Sequence, residues 1–134
     1  MTLSRRLGLG VVFAWFFFGG IGHFALAGFF VSIVPPYIPM ARAVVYLSGV
    51  CELAGAAGIL LPQTRRAAGI GLFLLTLCVT PANVYMWQHP ELFPRFPEPL
   101  LGARLVVQVA LLACIAWSIW PRQGRYTQPR VGLA

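Results

Sequence analysis

The chain has 134 residues, of which 59% are hydrophobic and only 10% charged. Its mean hydropathy of +0.80 excludes an ordinary water-soluble domain, and its length leaves room for one compact unit. The net charge of +7 comes from arginines alone, set against three glutamates. They flank apolar segments instead of forming a basic stripe with interleaved aromatics, which argues for a topology signal and against nucleic acid as a partner.

Four apolar runs, residues 7–31, 43–61, 67–87 and 102–120, are each near the ~20 residues that a helix needs to cross about 30 Å of hydrocarbon. They lack the period-2 alternation of barrel strands and are about twice as long. The pattern predicts an all-α fold: a single integral membrane four-helix bundle over residues 1–134, with outer loops at 32–42 and 88–101 and a tail at 121–134.

In the first run, SRR precedes the apolar stretch and Ala25–Ala27 resembles a small-residue cleavage site. The run continues to Val31, which favours an uncleaved anchor over a signal peptide. His23 lies near its end, with the small residues Gly19, Gly20 and Ala27 one turn away. The loop VPPYIP (34–39) follows, and its prolines and tyrosine suit irregular backbone at an interface, either as a lid or as a plain helix terminator.

The second run contains SGVCELAGAAGILL (48–61), in which Glu52 is the one charge. It stands ten residues past Arg42, about 15 Å along a helix, which is near the bilayer midplane. Ser48, Gly49, Gly55 and Ala56 surround it at helical spacing, so the carboxylate is expected to face another helix and not lipid. A charge there is costly, which makes Glu52 a functional candidate.

On the third run Thr76, Thr80, Asn83 and Trp87 form a stripe, and Pro81 is expected to loosen the backbone beside Asn83. HPELFPRFPEP (89–99) is the second proline-rich outer loop. The fourth run opens with Arg104 and Gln108, one turn apart. ARLVVQ (103–108) there matches ARAVVY (41–46) at four of six positions, which suggests two repeated helical hairpins. Arg5, Arg6, Arg65, Arg66, Arg122, Arg125 and Arg130 fall on one face of this topology. Arg42, Arg95 and Arg104 fall on the other, so both termini are expected in the cytoplasm.

Polar groups from four helices at compatible depth suggest an outward-facing pocket. His23, Glu52, Asn83, Arg104 and Gln108 are its polar candidates, and Trp87, Tyr37 and Phe24 its apolar mouth. The competing reading is that the polar set only staples the bundle. Cys51, Cys78 and Cys114 occur one per helix with no CxxC pair, and read as apolar fillers. No spacing points to a metal site, a haem, a GxxxxGK[ST] loop or a GxSxG nucleophile.

GGIGHF, the proline-rich loop, SGVCELAGA, TPANVYM and RLVVQ, in this order over about residues 10–120, resemble the DoxX-like four-helix membrane proteins of bacteria. The resemblance implies a multi-pass protein of the bacterial inner (plasma) membrane. The family's namesake is similar to a membrane subunit of a thiosulfate:quinone oxidoreductase, and other members are associated with membrane redox or thiol-stress complexes. A quinone is accordingly the cofactor class the resemblance implies, and an oxidoreductase the partner class. It supplies no catalytic residue. Two functions follow: a pocket for a small amphipathic ligand such as a quinone or lipid, as part of a membrane redox system, or a non-catalytic scaffold that anchors an oxidoreductase or forms a homo-oligomer.

Overall fold

A computed structural model describes residues 1–120, and the tail 121–134 lies outside the described residues. The chain forms α1 (Leu3–Ala25), α2 (Ala27–Ser32), α3 (Ala41–Leu60), α4 (Arg65–Gln88) and α5 (Glu98–Ile119), with a 3-10 turn at Pro90–Leu92. Four of these, α1, α3, α4 and α5, are long and apolar enough to cross a membrane.

Every long helix starts before its apolar run. Arginines and a proline fit the first turn of a helix even though they do not suit hydrocarbon, so hydropathy marks the span and not the helix. At α5 the early start has a local cause: Glu98 complements the helix dipole, and Pro99 in the first turn lacks only an N–H that would have no partner there.

The first run differs more. It is not one helix over 7–31, because Leu26 (φ −121°, ψ 37°) leaves the helical region, although its N–H still reaches the Gly22 carbonyl at 2.8 Å. The cause is tertiary packing. The turn lets α2 present Phe29 and Phe30 to a cluster of Ile33, Met86, Phe93 and Leu101. Both proline-rich loops reach this cluster, with Ile33 at the start of the first and Phe93 in the second, and Pro35 of the first loop is also buried.

The long helices pack in a ring in the order α1, α3, α4, α5. In the α1–α3 pair, Gly20 and Gly49 let the backbones meet. A Cβ on Gly49 would stand 2.8 Å from His23 Cβ and 3.2 Å from the Gly20 carbonyl. At the far end, Val12, Phe16, Ala56, Ile59, Leu72, Leu111 and Ile115 join all four helices in one core. Gly8 and Gly55 allow this closure, since Ser118 and Leu72 occupy the space that side chains there would need.

The α3–α4 turn is held by side chains that satisfy the last carbonyls of α3. Thr64 Oγ1 donates to the Gly58 carbonyl (2.7 Å), Arg65 Nε to that of Ile59 (2.8 Å) and Arg65 Nη2 to that of Leu60 (3.1 Å). At the opposite end of α3, Met40 sits in the left-handed region (φ 56°, ψ 44°), a conformation that costs a side-chain-bearing residue ~1 kcal/mol.

Candidate ligand-binding cavity

Glu52 projects from the small-residue face of α3 toward α1. Gly19 makes the space for it: a Cβ on Gly19 would come 2.7 Å from Glu52 Oε2. His23, one turn along α1, places Nδ1 3.6 Å from the same oxygen. That is too long for a hydrogen bond. His23 Nδ1 is buried with no partner, and Glu52 makes no hydrogen bond among the described residues although only 8% of it is exposed. The Phe30 ring, 4.2 Å from the imidazole centroid, covers the histidine from α2.

Across the bundle, α4 and α5 are joined by a continuous polar chain. Arg104 Nη2 donates to Asn83 Oδ1 at 3.1 Å, Asn83 Nδ2 donates to Gln108 Oε1, and Gln108 Nε2 donates to Thr80 Oγ1 and, at 3.2 Å, to the Thr76 carbonyl. The Thr80 and Thr76 hydroxyls turn back to carbonyls one turn earlier, on Thr76 (3.0 Å) and Leu72 (2.7 Å). Pro81 does not end α4, which continues to Gln88. The amides are therefore spent on each other, while Arg104 uses one of its five N–H donors.

Between the α1–α3 and α4–α5 pairs lies a cavity of about 740 Å³, with an adjoining one of about 280 Å³. Trp15, Glu52, Val79, Asn83 and Arg104 stand in the walls of both. The larger volume falls in the range of small-molecule sites. Glu52 and Arg104 thus face shared space with no ion pair between them. Val34, Pro35 and Ile38 close one end, and Phe16 and Leu111 belong to the core below. The exposed wall residues lie on the flanks: Val11, Trp15 and Phe18 on α1, Leu100, Ala103 and Val107 on α5, and Val44 and Cys78 on α3 and α4. The space opens sideways between helices, whereas the sequence suggests an outward mouth.

Of the eight residues singled out from sequence, His23, Glu52, Asn83 and Arg104 line the larger cavity and Gln108 the smaller. Phe24, Tyr37 and Trp87 line neither. Phe24, one residue past His23, is rotated about 100° around the helix and stacks on Tyr46 at 5.5 Å. The turn closed by the Ile38 N–H on the Pro35 carbonyl (3.0 Å) directs Pro35 and Ile38 inward and leaves Tyr37 75% exposed. Trp87 lies against Gly102 at the end of α4.

The aromatic wall is instead Trp15, Phe18 and Phe30. Trp15 stands one turn from Gly19, and that spacing is the one signal that could have located it. Cys51 and Cys78 are exposed and not core fillers: Cys51 lines neither cavity, and Cys78 stands on the exposed flank of the larger one.

Residues 12–120 match a protein family described as a domain of unknown function (DUF8561). The chain belongs to this family. The DUF8561 match includes every residue in the cavity walls except Val11. No curated protein and no solved structure matches the chain.

Proposed function

We propose that this DUF8561 protein is a DoxX-like, multi-pass protein of the bacterial plasma membrane whose cavity binds a small amphipathic ligand, such as a quinone or a lipid, within a membrane redox system. Four apolar helices support the membrane reading. The placement of Arg5, Arg6, Arg65 and Arg66 at one end, with Arg42, Arg95 and Arg104 nearer the other, supports cytoplasmic termini. The antiparallel α1–α3 and α4–α5 pairs are the two hairpins that the ARAVVY and ARLVVQ segments mark as repeats.

The observation that carries the ligand reading is the pairing that is not made. Glu52 and Arg104 face one cavity, yet neither neutralises the other. A buried charge whose one near charge partner among the described residues, His23 Nδ1, stands 3.6 Å away is expensive, and a structural role would be met by closing the gap or by using an amide. The sideways openings suit a molecule dissolved in the bilayer.

A scaffold for an oxidoreductase or a homo-oligomer is the second reading, favoured by the polar chain from Arg104 to Thr76, which ties α4 to α5 without any ligand. Mass spectrometry of small molecules co-purifying with wild type and with Glu52→Gln separates the two. A defined species lost in the variant is expected; equal, non-specific lipid in both would leave the polar set as glue.

A further inference from the structure

We propose that the cavity selects a net-neutral amphipath whose polar end carries a hydroxyl donor for Glu52 and an oxygen acceptor for Arg104. This deepens the ligand-binding reading above and rests on it. Glu52 lies in the Gly19 notch with His23 Nδ1 behind Oε2 at 3.6 Å, and its carboxylate has no donor from the protein among the described residues. An ionised carboxylate accepts hydrogen bonds and gives none. Arg104, bonded among the described residues only through Nη2 to Asn83, offers donors and no acceptor.

The two walls therefore ask for opposite things. A ketone, ether, ester or oxidised quinone alone would satisfy Arg104 and leave Glu52 bare, so of the ligands named above a quinol or a hydroxylated lipid fits. A carboxylate head would meet Arg104 but repel Glu52, and an ammonium would do the reverse. With the His23 imidazole neutral, the carboxylate and guanidinium sum to zero, and the remaining wall is mainly apolar, with Val11, Phe18, Val45 and Val79 in it. A charged head would thus enter an apolar space with no net countercharge. A head that joins O–H to a carbonyl or second oxygen meets both walls and adds no charge.

The test titrates the full chain in detergent with four probes of equal tail length, 1-lauroylglycerol, laurate, methyl laurate and dodecylamine, read by native mass spectrometry. The glyceride, with hydroxyl and carbonyl together, is expected to bind tightest. Glu52→Gln should weaken the glyceride about tenfold and leave methyl laurate unchanged, because only the hydroxyl meets Glu52. Arg104→Gln should weaken both esters. The near-isosteric Glu52→Gln decides alone if Arg104→Gln does not fold.

Laurate or dodecylamine binding as tightly as the glyceride, or a glyceride indifferent to Glu52→Gln, overturns the proposal. If a charged molecule co-purifies and is lost in Glu52→Gln, the cavity remains a ligand site and this selectivity falls. If nothing co-purifies and no probe binds, both fall.

Discussion

At Asn83 the bundle relies on a single side chain to connect two others. It accepts from Arg104 and donates to Gln108, so Asn83→Leu leaves Arg104 Nη2 and Gln108 Oε1 without these partners. The expected cost is about 1 kcal/mol, typical of inter-helix polar contacts in an apolar surround, measured by reversible unfolding in detergent. A cost near zero would mean that these groups find other partners.

Sequence made the polar residues legible because ionisable and amide groups are conspicuous in apolar helices. It did not show which would pair. Asn83, Gln108 and Arg104 closed a chain on α4–α5, whereas Glu52 was left without a hydrogen bond, and that division depends on rotation about each helix. The aromatic wall was hidden for a related reason: Trp15 and Phe24 read alike in an apolar run, and only the orientation of α1 distinguishes them.

At the scale of helices, glycine position separates packing from permissiveness. Gly49→Ala sets a Cβ 2.8 Å from His23 Cβ, a neighbour fixed to its own backbone, so α1 and α3 must part. The variant should lose about 1–3 kcal/mol of stability. Gly71, inside α4, meets nothing within 4 Å, and Gly71→Ala should gain about 0.5–1 kcal/mol through lower unfolded-state entropy. Paired thermal melts check both, and equal shifts would contradict the close approach at Gly49. The α1–α2 break was not legible, since nothing local at Leu26 demands it and its cause is the distant cluster at Ile33, Met86, Phe93 and Leu101.

For the whole molecule, two helix pairs fastened by a common core at one end and bridged at the other by the cluster of Ile33, Met86, Phe93 and Leu101 leave the cavity in the space between the two clusters. The proposed topology of four crossings puts the N-terminus and the Arg65–Arg66 turn on one side of the membrane. Single cysteines introduced into a background with Cys51, Cys78 and Cys114 replaced by serine, one at Thr2, one at Gln63 and one at Glu91, should label accordingly. Thr2 and Gln63 are expected to react from the cytoplasmic side and Glu91 from the opposite side.

The most direct test of the account fills the cavity. Val79 stands in both cavity walls and is only half-buried, so Val79→Phe adds volume where there is space to take it. Val79→Phe is expected to keep its helicity, to show equal or higher thermal stability, and no longer to retain the molecule co-purifying with wild type. Retention of that molecule by a folded Val79→Phe protein would show that it binds elsewhere and would contradict the cavity as the ligand site.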